Sequence, residues 1–148
     1  MPREEPVLEF LRLMWAVDHE LQSVSKRMLI DLGLTGPQRL AVRFIGRRPG
    51  LAAGELAGLL HLDPGTVTGI LRRLEAARMI TRTRDASDSR RVCLSLTRRG
   101  QAVNRRRTGT IEFAVRRALA SVSGPDVRAA RRVLKLLAEE LGAEARRE

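Results

Sequence analysis

Residues 53–100 read AGELAGLLHLDPGTVTGILRRLEAARMITRTRDASDSRRVCLSLTRRG, and the fold turns on them. Ala53 to Leu60 has the composition of a short helix with Leu56, Leu59 and Leu60 facing inward, and His61-Leu62 reads as a turn. Asp63 is placed to cap a second helix with Pro64 at its first position, where a missing N–H costs nothing and the fixed φ is already helical. Val67, Ile70, Leu71 and Leu74 recur at three- and four-residue spacing and give that helix a buried stripe. Two short helices across a tight turn are the pattern of a helix-turn-helix. The period then changes. Val92, Leu94 and Leu96 alternate as in a half-buried strand, Ile80-Thr-Arg-Thr-Arg84 is short enough to be its partner, and Asp85-Ala-Ser-Asp88-Ser is loop chemistry. A hairpin with a basic rim directly after a helix-turn-helix makes it the winged version.

Upstream, Val7, Phe10, Leu11, Met14, Val17, Leu21, Val24, Met28 and Leu32 mark a long amphipathic helix that Gly33 stops. Thr35-Gly-Pro-Gln38 is a capping box opening another helix through about Arg47, and Pro49-Gly50 breaks it. Downstream, Thr97 is expected to cap one helix from about Arg98 to Leu119. Ser123-Gly-Pro-Asp126 starts a last helix, with Val127, Ala130, Val133, Leu134, Leu137 and Leu141 along one face. The expected architecture is mainly α with a small β-hairpin wing, one domain over 1–148. Its winged helix-turn-helix spans 34–97, and helices in 5–32 and 98–146 form a dimerisation region. The dimer follows from the apolar stripes of the first and last helices, which are longer than a small winged domain could cover; a symmetric second chain would bury them.

The chain carries a formal net charge of +11, which points to a polyanionic partner. From Arg82 to Arg107 there are nine arginines against Asp85 and Asp88, a net +7 in 26 residues, which leaves +4 for the other 122. A general arginine bias explains why Lys26 and Lys135 are the only lysines, but not why the charge is clustered. Arg105, Arg106 and Arg107 stand well past the wing and either add phosphate contacts or face solvent.

Other function classes find little support. Cys93 is alone, so there is no internal disulfide framework, and His19 and His61 have no partners at metal-ligand spacing. No Ser/His/Asp constellation or glycine-rich phosphate loop is present, which argues against an enzyme and against a cofactor or metal. Met1-Pro-Arg-Glu-Glu-Pro6 is not a secretory signal and no apolar run reaches membrane-spanning length, so a cytoplasmic, nucleoid-associated protein is expected.

In this order of elements the chain resembles the MarR family of bacterial transcription regulators over nearly its whole length. The resemblance rests on Leu34-Thr-Gly-Pro-Gln38, Glu55-Leu-Ala57, Val67-Thr-Gly-Ile-Leu-Arg-Arg-Leu-Glu75, and above all Asp88-Ser-Arg90 followed by Leu96-Thr-Arg-Arg-Gly100. Ala77-Arg78-Met79-Ile80 departs from it, since the family more often has a glycine after the recognition helix. The resemblance implies a homodimer on an inverted-repeat, pseudo-palindromic operator in double-stranded DNA, usually a repressor, often released by a small phenolic or by oxidation. A constitutive or architectural DNA-binding protein without effector response is the alternative.

With Val67, Leu71 and Leu74 turned to the core, 100° per residue puts Gly65, Gly69, Arg72 and Ala76 outward, flanked by Thr66, Thr68 and Arg73. Small residues let the backbone approach a major groove, the threonines reach base edges or phosphates, and Arg72 pairs with guanine. Two glycines inside a helix cost about 1 kcal/mol each and call for such a reason. On the wing, Arg82, Arg84 and Arg91 are expected to follow phosphates and Arg90 to enter or approach the minor groove. Asp88 is expected to position Arg90 or cap the tip, as the family's Asp-x-Arg element does.

The resemblance places an effector, here a small aromatic or anionic molecule, between the dimer helices and the reading head. Trp15 and His19 lie one turn apart on the first helix, Arg39 and Arg43 one turn apart on the second; an aromatic anion would stack on Trp15 and pair with an arginine. Redox control is less favoured. The family's peroxide sensors carry a cysteine in the first helix, and this chain has only Cys93, a strand residue whose neighbouring arginines would lower its pKa.

Overall fold

Side-chain caps fix where four of the helices begin, Thr97 Oγ1 accepting the Gly100 N–H in one of them. Thr35 Oγ1 accepts the Gln38 N–H at 3.4 Å while Gln38 Oε1 accepts the Thr35 N–H at 3.1 Å, the reciprocal capping box. Asp63 Oδ2 accepts the Thr66 N–H at 2.9 Å, and Ser123 Oγ accepts the Asp126 N–H at 3.2 Å. The computed structural model describes residues 4–147; Met1-Pro-Arg3 and Glu148, the two ends of the expected 1–148 span, lie outside it. The elements are α1 (Glu4–Leu32), α2 (Gly36–Arg47), β1 (Leu51–Ala52), α3 (Ala53–Leu60), α4 (Pro64–Ala76), β2 (Ile80–Arg84), β3 (Val92–Leu96), α5 (Arg98–Arg105), α6 (Ile111–Ala120) and α7 (Gly124–Ala145). The fold is thus mostly helical with a small antiparallel sheet. No helix among the described residues is long and apolar enough to cross a membrane.

Two compact units divide the chain after Ile111. The first contains one buried cluster. Leu34, Ala41, Val42 and Ile45 meet Leu56 of α3, the α4 stripe Val67, Ile70, Leu71 and Leu74, and Ile80 and Leu94 from the sheet. Each large side chain buried there contributes roughly 1.5–3 kcal/mol, so the reading head is held by its own core. The second unit holds α6 and α7, and none of the residues in these two helices is buried.

The hairpin pairs Ile80 with Leu96 and Arg84 with Val92. A third strand, not expected from the sequence, joins its other side: Leu51 pairs with Leu94 and Ala52 with Cys93, giving the order β1-β3-β2. Leu94 therefore sits at the centre of the sheet and is fully buried.

Two further expectations are corrected. Leu59 does not face inward but is exposed, and within α3 only Leu56 is fully enclosed. The single helix expected from Arg98 to Leu119 is two helices, broken at 106–110. Arg39 supplies the reason. Its guanidinium donates to the carbonyls of Val103 and Arg106, both at 2.6 Å, so it stands where the next turn of backbone N–H groups would be. Arg106 is accordingly extended (φ −60°, ψ 134°), Gly109 takes φ +75°, and Thr110 Oγ1 donates back to the Arg107 carbonyl at 2.6 Å.

Candidate nucleic-acid interface

Helix α4 turns Val67, Ile70, Leu71 and Leu74 into the core, which leaves Gly65, Thr66, Thr68, Arg72, Arg73 and Ala76 exposed on its other side. A Cβ at Gly69 would meet nothing within 4 Å, so no packing inside the protein requires that glycine. The two threonine hydroxyls are already oriented: Thr66 Oγ1 donates to Asp63 Oδ1 at 2.6 Å and Thr68 Oγ1 to the Pro64 carbonyl at 2.8 Å. With its hydrogen donated inward, each hydroxyl can act only as an acceptor toward a further partner. Hydrogen bonds from the Thr66 side chain and backbone hold the Asp63 carboxyl below its ordinary value of 3.8.

The hairpin tip is ordered by two aspartates. Asp85 Oδ1 accepts from the Ser87 N–H at 2.9 Å and the Ser87 hydroxyl at 2.7 Å, and these bonds lower its pKa. Asp88 Oδ1 accepts the Arg90 N–H at 3.0 Å, and the Asp88 carbonyl accepts the Arg91 N–H at 3.0 Å. Asp88 thus fixes the backbone from which the exposed Arg90 side chain projects.

The remaining rim arginines differ in what they do. Arg84 donates to the Ser89 carbonyl at 2.8 Å across the tip. Arg82, only half-exposed, lies with Nε 2.9 Å from Glu75 Oε2, a contact that is ionic but misaligned for a hydrogen bond. Arg91 donates to Glu55 Oε1 at 2.6 Å and lies 3.7 Å from Asp85 Oδ2; bonds to the Cys93 side chain and to Glu55 raise its pKa further. Glu55 also receives Arg48 on its other oxygen at 2.9 Å. In the sequence Glu55 and Glu75 stand out only within the family motifs; their ion pairs, and Arg48, go unmarked because the Glu55–Arg91 and Arg82–Glu75 pairs join different elements and no local periodicity shows them.

The four residues expected around an effector fall in contrasting environments. Trp15 is 65% exposed and His19 is exposed on α1, whereas Arg39 is 2% exposed and serves the Val103 and Arg106 carbonyls. Arg43 donates to Asn104, to its carbonyl at 3.1 Å and its Oδ1 at 2.8 Å. Both arginines therefore brace α2 against α5.

This arrangement has counterparts. The sequence profile of the MarR family matches residues 32–91. An HTH-type transcriptional repressor of Mycobacterium tuberculosis is 31% identical over 128 residues, covering 86% of this chain and 92% of that protein. The chain belongs to the MarR family. Among its other relatives, the organic hydroperoxide resistance transcriptional regulator of Bacillus subtilis is 33% identical over 132 residues, 87% of this chain and 86% of that one. In fold, this MarR-family chain matches Staphylococcus aureus MepR in its complex with DNA, with a TM-score of 0.73 at 22% identity, over 89% of this chain and 97% of that chain. The profile match runs from the end of α1 through α4 and β2 to Arg91, the residue before β3.

Proposed function

We propose that the chain is a homodimeric transcriptional repressor that binds a pseudo-palindromic operator and is released by a small-molecule effector. The observation that carries the DNA-binding reading is the outward side of α4. It presents Thr66, Thr68, Gly69, Arg72 and Arg73 with no core residue among them and a glycine the fold does not need. Such a face fits a major groove, where Arg72 pairs with guanine and the backbone approaches at Gly69. Arg90, projecting from a tip that Asp88 fixes, takes the minor groove, and Arg73 and Arg84 take phosphates. Arg82 and Arg91 contribute first by orienting the wing, through Glu75 and Glu55. The repressor name carried by the mycobacterial relative and the DNA bound to MepR support this reading.

The dimer rests on apolar surface. In α1, Val7, Leu8, Phe10, Leu13, Trp15 and Val17 are exposed; in α6 and α7, Val115, Leu119, Leu134, Leu136 and Leu141 are exposed. Surface of this kind is covered in a stable protein, and a second copy covers it symmetrically. Effector release is the finer part. An aromatic anion stacking on Trp15 would act on DNA affinity by drawing Arg43 or Arg39 from the α5 carbonyls they hold.

The experiment is binding to the DNA just upstream of the protein's own gene against a scrambled duplex, across a salt series. A preference of about a thousandfold, with one dimer per inverted repeat, is the expected result. Equal affinity for both duplexes would instead favour an architectural DNA-binding protein.

A further inference from the structure

We propose that Glu55 is a specificity-determining residue: by holding Arg48 and Arg91 it withholds two cations from indiscriminate phosphate contact while tying the wing to the helix-turn-helix. The inference rests on the DNA-binding reading above. Glu55 stands in the first turn of α3, the first helix of the motif, which in this class of fold crosses the DNA backbone. An uncompensated carboxylate there would repel phosphate. It is compensated twice, by Arg91 at 2.6 Å on Oε1 and by Arg48 at 2.9 Å on Oε2. The two arginines reach it from different elements, Arg48 from the end of α2 and Arg91 from the tip end of the hairpin, just before β3.

Asp85 completes the group, 3.7 Å from Arg91 Nε. Two guanidinium ions and two carboxylates leave the cluster with no net charge. It therefore adds nothing to long-range attraction, although it contains Arg91 of the hairpin and Arg48 at the end of α2. All four groups are partly exposed, so a phosphate competes with Glu55 for the same N–H donors. Phosphate contacts carry affinity without sequence information. Keeping Arg48 and Arg91 on a carboxylate lowers the affinity for any duplex, and the same bonds hold Arg90 at a set distance from the recognition helix. The first keeps the sequence-independent part of binding small, and the second, by fixing Arg90, widens the gap between operator and random DNA.

The test compares parent and E55Q on the upstream duplex and on a scrambled duplex of equal length, across a salt series. For E55Q we expect several-fold tighter binding to the scrambled duplex at low salt. The slope of log K against log salt should steepen by about 0.9 for each newly engaged phosphate, and the operator preference should fall. The triple variant R48Q/E55Q/R91Q, which removes the released cations together with the carboxylate, should return the scrambled-duplex slope to near the parent value. Either of two results overturns the proposal: weaker E55Q binding to both duplexes at an unchanged slope, or a slope for R48Q/E55Q/R91Q that stays as steep as that of E55Q. Failure of the parent itself to bind either duplex would overturn the DNA-binding reading first, and this proposal with it.

Discussion

Thr97 Oγ1 donates a 2.6 Å hydrogen bond to the carbonyl of Arg78, which seats the cap of α5 on the turn that ends α4. The Thr97 N–H donates to the Met79 carbonyl at 3.0 Å, and the same hydroxyl oxygen accepts the Gly100 N–H at 3.1 Å. Helix α4, the hairpin and α5 therefore meet at one small joint, and Leu96-Thr-Arg-Arg-Gly100 is the sequence of that joint.

Gly100 is the part of it with least freedom. A Cβ at this position would overlap the Met79 carbonyl oxygen, a backbone atom fixed by its bond to Thr97. Gly100→Ala should therefore force the joint open and destabilise the protein by about 3 kcal/mol. Urea unfolding of the variant measures this; a loss below about 1 kcal/mol would mean that the two helices separate easily and that the joint is not rigid.

The contrast between what the sequence discloses and what it conceals runs along chain distance. The caps at Thr35, Asp63 and Ser123 act within three residues of themselves, and their helices begin where local reading puts them. Strand β1 is two residues whose only reason to be extended is Leu94 and Cys93, far along the chain, so nothing local announces it. The break after α5 comes from Arg39, which acts over more than sixty positions. The outward side of α4 was legible because helical periodicity determines it once the core stripe is known. The engagement of Arg82 and Arg91 was not, since an arginine beside phosphate and one beside a carboxylate look alike in sequence. Arg78 carries a local cost: it takes φ 55°, the left-handed conformation that glycine adopts most freely.

Arg39 offers a second measurement. Replacing it with methionine keeps most of the buried volume but leaves the Val103 and Arg106 carbonyls without their guanidinium donor. Two charge-assisted bonds lost from a buried site cost about 3 kcal/mol. Arg43→Met, at a half-buried position bonded to Asn104, should cost distinctly less. Hydrogen exchange at 106–110 should quicken in Arg39→Met; unchanged exchange there would show that the break between α5 and α6 is held by something other than Arg39.

Acid stability follows from the two capping aspartates. The Asp63 and Asp85 carboxyls titrate below 3.8 in the folded chain because Thr66 and Ser87 donate to their charged forms. Their contribution is complete above the ordinary carboxylate range and is lost as the pH falls through the lowered values. Asparagine caps helices and turns nearly as well without titrating. The variant D63N/D85N should therefore match the parent closely at pH 7 but lose less stability between about pH 5 and pH 2. Unfolding free energies across that range decide it, and parallel acid limbs would remove these two groups from the account.

Gly69 separates folding from function in one substitution. A helix interior favours alanine over glycine by about 1 kcal/mol, and the Cβ added at Gly69 would meet nothing within 4 Å. Gly69→Ala should therefore raise the thermal midpoint. If the outward side of α4 enters a major groove, the same methyl group stands between backbone and bases, and operator affinity should fall at least tenfold, about 1.4 kcal/mol. Scrambled-duplex affinity, which depends on phosphates, should scarcely move. A variant that is more stable and binds its operator as the parent does would move the recognition surface away from this side of the helix. A variant that loses stability would mean that Gly69 faces packing that the free chain does not contain, the surface of a second protomer being the first to examine.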